Sequence, residues 1–140
     1  MKKLTQFLVV LLTVAILCTS VLPFFASAEG AITPYYVNTN DCDFSFIAFE
    51  GEAVAAVLYR AKSSVFSYAS ITVKIQKRFL GVFWSTVDEW TAIMTDVNGY
   101  IERGTPIEDT GTYRAVFTVE IYGTDGSVDT IEDKLTDTYE

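Results

Sequence analysis

Asp109-Thr110-Gly111-Thr112-Tyr113-Arg114-Ala115 leads into Val116-Phe117-Thr118-Val119-Glu120-Ile121-Tyr122, and this stretch decides the fold. Tyr113, Ala115, Phe117, Val119 and Ile121 fall at every second position, so an extended chain puts all five on one side. Thr112, Arg114, Thr118 and Glu120 fall on the other side, with Val116 and Tyr122 making that side only partly polar. A run of this length with period two predicts a long β-strand over 112–122 with one dry face. Gly111 and Asp109 sit just before it, where a chain turns into a strand.

The opening segment resembles the D-x-[AG]-x-Y-x-C stretch that leads into strand F of immunoglobulin-like domains. In that family the tyrosine ring packs at the corner of the sandwich. Its hydroxyl bonds to backbone a few residues upstream. The resemblance implies a structural tyrosine corner made by Asp109, Gly111 and Tyr113, with Gly111 giving tight backbone and Asp109 bonding nearby amides. It stops short of the family's central pin. Ala115 stands where the second cysteine would be, and Ala55 or Val57 where the first would be. Val73 or Ile75 occupies the region of the core tryptophan.

The remaining segments agree with an all-β reading. Residues 69–79 alternate most cleanly, with Ile71, Val73 and Ile75 opposed to Thr72, Lys74 and Gln76. Leu80-Gly81 then suggests a hairpin, with a return strand over about 83–93 that carries Trp84 and Trp90. Residues 43–49 and 53–61 alternate on either side of Gly51. Ala53–Ala61 has helical composition, but its alternation and its flanking Gly51 and Ser63-Ser64 favour a strand. Asn98-Gly99 predicts a turn and Tyr100–Arg103 a short strand after it. Gly123-Thr124-Asp125-Gly126 predicts a turn before a charged edge strand over 128–136. Seven short strands in one domain over 29–140 predict an immunoglobulin-like antiparallel β-sandwich, with a closed barrel as the alternative.

The first 28 residues read as an export signal that would be helical. Lys2 and Lys3 precede an apolar stretch over Leu4–Leu17, and Ala26-Ser27-Ala28 offers small residues for cleavage after Ala28. The competing readings are an uncleaved anchor, for which the apolar run is short, and lipidation at Cys18, where the bulky Leu17 fits poorly. Export implies an oxidising surrounding, a secreted or wall-associated protein, and no membrane attachment after cleavage. Cys42 is then the single cysteine left, either a small buried hydrophobe or one half of an intermolecular disulfide.

Charge and missing residue types exclude much chemistry. Residues 29–140 hold all 18 Asp and Glu but only eight Lys and Arg, a net charge of −10. Phosphate backbones would repel such a chain, so no nucleic acid partner is expected. There is no His in the protein, and no Ser-x-x-Lys, so a serine or cysteine nucleophile lacks the usual base. Carboxylate pairs such as Asp41/Asp43 offer calcium ligands or acid–base groups in principle. No Asp-x-Asp-x-Asp-Gly loop accompanies them, and a solvated acidic surface explains them. No enzymatic activity, metal or cofactor is expected.

Trp84, Val87 and Trp90 fall at three-residue steps, which a strand reconciles only by a twist or bulge. One reading then buries both tryptophans; the other makes an aromatic platform for a sugar or peptide. Phe79, Leu80, Val82, Phe83 and Trp84 crowd the expected hairpin tip, where little core exists to hide them, and form the candidate partner-binding patch. Lys77 and Arg78 at its base would favour an acidic partner. The ligand expected is an unidentified protein or glycan. A structural or self-associating role is the alternative, and a small carboxylate-based hydrolase comes third.

A second resemblance runs through Ile32-Thr33-Pro34-Tyr35, Gly51-Glu52-Ala53, Val73-Lys74-Ile75-Gln76-Lys77, Trp84-Ser85-Thr86-Val87 with Trp90, Gly111-Thr112-Tyr113-Arg114 and Val119-Glu120-Ile121-Tyr122-Gly123. It is similar to a recurring family of small secreted proteins of Gram-positive anaerobes. This implies an exported β-domain and carries over no activity and no site residue.

Overall fold

The computed structural model describes residues 35–140. The export signal over 1–28 and the Ile32–Pro34 part of the second resemblance lie outside the described residues. Seven strands follow in order: β1 (Thr39–Phe49), β2 (Glu52–Ala61), β3 (Phe66–Phe79), β4 (Phe83–Met94), β5 (Asn98–Pro106), β6 (Gly111–Gly123) and β7 (Val128–Tyr139). They form two antiparallel sheets, β1-β2-β5 and β4-β3-β6-β7. In immunoglobulin lettering these are A-B-E against C′-C-F-G, so the domain is an immunoglobulin-like sandwich. The chain changes sheet three times, between β2 and β3, β4 and β5, and β5 and β6.

Alternation builds the core. β3 contributes Ala69, Ile71, Val73 and Ile75; β6 contributes Tyr113, Ala115, Phe117, Val119 and Ile121. Facing them from β2 are Ala53, Ala55, Val57 and Tyr59. Each large aliphatic or aromatic side chain fully buried here is worth about 1.5–3 kcal/mol. Small residues fill the place of the cystine: Ala115 on one sheet and Ala55 with Val57 on the other are fully buried. The core tryptophan comes from the next strand, since Trp90 on β4 sits beside Val73 of β3 and faces inward.

The tyrosine corner forms. The Tyr113 ring is 2% exposed, and its hydroxyl donates to the backbone oxygen of Asp109 at 2.6 Å. Gly111 adopts φ 140°, a backbone state that costs glycine little. The expected role of the Asp109 carboxylate is corrected. It accepts from Lys77 Nζ at 2.9 Å instead of from nearby amides, because Lys77 on β3 lies directly beside Tyr113 and reaches over the corner.

Asn98-Gly99 is also corrected: it opens β5, opposite Arg60 and Tyr59, and makes no turn. The glycine is there for space. A Cβ on it would stand 2.1 Å from Tyr59 Cε1, and the Tyr59 ring is held by a 2.6 Å bond from its hydroxyl to the Asp96 carbonyl. The β1–β2 hairpin turns on Glu50 and Gly51, both with positive φ, the pairing a two-residue primed turn requires.

A carboxylate fixes the start of β1 to the facing sheet. Buried Asp129 on β7 accepts from the backbone nitrogens of Val37 and Asn38 and from Thr39 Oγ1, at 3.0, 2.6 and 2.9 Å. Buried Asn38 in turn donates to the Ile121 carbonyl and accepts from Ser127 Oγ.

Candidate functional site

The β3–β4 hairpin runs past the end of the sandwich. The last β3–β6 pair is Lys77 with Tyr113, whereas β3 and β4 stay paired out to Phe79 with Phe83. Leu80, Gly81 and Val82 close the tip, with Leu80 and Gly81 at φ 50° and 74°. Beyond Lys77 there is no third strand to bury what the hairpin carries.

A single irregularity decides where the tryptophans go. On β4, Asp88 faces Ile75 and Thr86 faces Gln76, so Val87 is an extra residue, a β-bulge. Trp84 and Trp90 are six residues apart and would share a face in a regular strand. The bulge inverts that parity. Trp90 enters the core, and Trp84 turns to the outer face of the β4-β3-β6-β7 sheet, where it is half-buried. The expectation that both are core residues therefore holds for Trp90 alone.

The hairpin has two unlike faces. Phe79 and Phe83 pair on the side opposite Trp84, and with Leu80 and Val82 they are exposed: 59% for Phe79, 63% for Phe83, 74% for Leu80 and 71% for Val82. On the outer side Trp84 pairs with Arg78, whose guanidinium carbon is 5.3 Å from the indole centre. Arg114, from β6, stands at 4.1 Å from the same ring. Its Nε donates to Gln76 Oε1 at 2.8 Å, which holds the guanidinium plane in place. Cation–π contacts of this kind are worth about 0.5–2 kcal/mol each. The five residues of the candidate patch are thus adjacent but divided: Phe79, Leu80, Val82 and Phe83 form the apolar tip, and Trp84 belongs to an arginine-flanked cluster behind it. Lys77 is committed to Asp109; Arg78 remains beside Trp84.

Sequence reasoning missed Arg114 and Gln76. The signal was present, since Arg114 alternates outward beside Tyr113, but it needed the β3–β6 register that sets Gln76 against Arg114.

Other candidates resolve into structure. Asp41 and Asp43 do share a face, and Asp41 pairs with Arg60 at 3.3 Å. Among the described residues no three Cys, Asp or Glu side chains converge as a metal site. Cys42 is half-buried on the core side of β1. Burial first, then the neighbouring Asp43, Asp41 and Asp133, pushes its thiol up to about 12, which suppresses the thiolate. Two shallow depressions border β7, one lined by Glu132, Asp133 and Lys134, the other by residues 48–50 and 138–140.

No known family model matches this chain, and no curated protein matches it.

Proposed function

We propose that the chain is an exported, non-catalytic binding module that engages a protein or glycan partner through the tip of its β3–β4 hairpin. The observation that carries this reading is the exposure of Phe79, Leu80, Val82 and Phe83 together at one protruding point. Single exposed apolar residues are ordinary, but a contiguous apolar group rimmed by polar residues is the pattern of an interaction surface. Leu80 sharpens the point. Its φ of 50° is a left-handed backbone state that costs a branched residue about 1–2 kcal/mol. That cost brings no core burial, because the side chain is in solvent. Glu50 holds the same state in the β1–β2 turn, so the hairpin sets the φ, and what the turn leaves open is the choice of an exposed branched apolar residue at Leu80. The signal-like first 28 residues support the exported part of the reading.

Peptide and glycan arrays probed with residues 29–140, wild-type and the variants L80S and F83S, test it. Retention by the wild type and loss in both folded variants supports the tip as the docking point; equal signals from all three proteins sink it. N-terminal sequencing of the exported protein, with Glu29 as its first residue, tests the export step.

A second reading, self-association, has its own observation. The outer face of the three-stranded sheet exposes Ile47, Phe49, Leu58 and Tyr100. Sedimentation at rising concentration separates the two: a strict monomer removes self-association.

A further inference from the structure

The Arg78–Trp84–Arg114 cluster sits on an electrostatic exception. The described residues hold eight Lys and Arg in a chain whose carboxylates outnumber its cations by ten over residues 29–140. Four of the eight, Arg60, Lys74, Lys77 and Arg103, form ion pairs with Asp or Glu. Arg78, Arg114, Lys62 and Lys134 form none among the described residues, and of these only the two arginines share one aromatic ring. They are stacked on Trp84 instead, and Arg114 is fixed by the neutral amide of Gln76.

Register explains why no carboxylate reaches them. On the outer face, the row nearest the tip that spans all four strands is Thr86, Gln76, Arg114 and Thr136. Beyond it lie the Trp84–Arg78 pair and the Thr112–Thr138 pair. These positions hold two positive charges, five uncharged polar side chains and no negative one. Among the paired rows of this outer face, the next one back holds a single acid, Glu89, already paired with Lys74 at 3.4 Å. A guanidinium stacked on an indole keeps its N–H edge free to donate in its own plane. Two such edges next to uncharged hydroxyls suit bidentate capture of carboxylates.

We propose that this outer face of the β3–β4 hairpin recognises the carboxylates of an acidic peptide segment, one whose apolar side chains settle on the adjoining tip. The proposal rests on reading the tip as the docking point and adds the partner's chemistry. Charge complementarity selects an acidic partner, because a neutral or basic one would leave Arg78 and Arg114 unanswered. A peptide fits better than an acidic glycan for two reasons on the same hairpin. Both guanidinium groups stack on the Trp84 indole, where a sugar ring would otherwise pack. Phe79, Leu80, Val82 and Phe83 call for apolar side chains, which a uronate chain lacks.

The test follows the Trp84 indole N–H by NMR while residues 29–140 are titrated with three probes. They are a short synthetic peptide with glutamates around a Leu-Phe pair, the same peptide with every glutamate replaced by glutamine, and a polyglucuronate oligomer. The expected result is a shift of the Trp84 resonance by the acidic peptide, weakened by added salt, and at least about tenfold weaker binding of the glutamine peptide. R78Q and R114Q should each lose about tenfold, the scale of one charge-assisted hydrogen bond. R114K, which keeps the charge and loses the planar fork, should fall between. Equal binding of the acidic and glutamine peptides overturns the proposal, as does no binding of the acidic peptide, or tighter binding of polyglucuronate. The variants separate it from the reading it rests on. If F83S and L80S weaken binding while R78Q and R114Q do not, the tip stands and the carboxylate site falls. The reverse pattern keeps the carboxylate site and removes the tip.

Discussion

Replacing Tyr113 by phenylalanine removes one oxygen from the corner of the sandwich and leaves the ring. The lost contact is the 2.6 Å hydrogen bond to the Asp109 carbonyl. A neutral intramolecular bond contributes about 0.5–1.5 kcal/mol net, and an acceptor left buried without a partner costs about 1–3 kcal/mol. Asp109 is exposed, so water can reach part of its backbone, and Tyr113→Phe should cost about 1–2 kcal/mol. Removing the ring as well is a different perturbation. Tyr113 packs among Ile75, Ala115 and their neighbours in the buried cluster, and an aromatic-to-alanine change in such a place costs about 3–5 kcal/mol. Urea unfolding of residues 29–140 measures both. With a slope of about 1–3 kcal/mol per molar, Tyr113→Phe should move the midpoint down by about 0.3–2 M with the slope unchanged. Tyr113→Ala should lower it much further or prevent folding. A Tyr113→Phe protein as stable as the wild type would show that the hydroxyl bond does not hold the β5–β6 crossover, and the account of this corner would fail.

Gly99→Ala should destabilise by about 2–3 kcal/mol or more, because its Cβ meets the Tyr59 ring and that ring has no room to retreat; near-wild-type unfolding would refute the packing. Asp129→Ala should cost about 2–4 kcal/mol by stripping acceptors from buried donors, and hydrogen exchange should show the Val37 and Asn38 amides losing protection before the rest of the sheet. Leu80→Gly relieves the positive φ and should hold or raise stability by up to about 1 kcal/mol, measured by the same unfolding curve. Alkali should unfold the protein early. The thiol of Cys42 is raised from 9.0 to about 12, and the Tyr59 phenol, chiefly by burial and then by Asp96, from 10.0 to about 12. The unfolded chain therefore gives up these protons first, so stability is intact below pH 9 and declines as pH rises towards about 12; Cys42→Ala should flatten the lower part of that decline in urea midpoints measured against pH.

Much of the fold is legible in the sequence because the physics behind it is local. Period-two alternation in 69–79 and 112–122 depends only on which residues a strand turns inward, and both strands form with the expected faces. The tyrosine corner is legible for the same reason: its donor and acceptor are four residues apart. What escapes is non-local. Asn98-Gly99 carries the residues of a turn, yet the fold uses the glycine for clearance from Tyr59, a residue some forty positions earlier. Asp109 is drawn away from local amides by Lys77 from another strand. The three-residue spacing of Trp84, Val87 and Trp90 does signal an irregular strand. Which tryptophan turns inward depends on where the bulge falls, and only pairing with β3 fixes that at Val87.

That bulge also links the fold to the candidate site. Were Val87 paired regularly instead of bulged out, Trp84 would share the core-facing side with Trp90, beyond the last pair of β3 with β6, and would add one more apolar group to the tip. With the bulge, the same residue moves to the outer face and becomes the surface on which Arg78 and Arg114 stack. One extra residue in an edge strand thus divides the hairpin into an apolar side and a cationic side. Deleting Val87 should therefore straighten β4 without moving the ring: five residues then separate Trp84 from Trp90, an odd interval that keeps them on opposite faces with Trp84 still opposite Arg78. Tryptophan emission and the Arg114 side-chain resonances should stay close to wild type, and Trp90 should remain buried. A deletion protein in which Trp84 leaves Arg114 for the Phe79–Phe83 side would show that Val87 is not the surplus residue and that the bulge does not set the two faces.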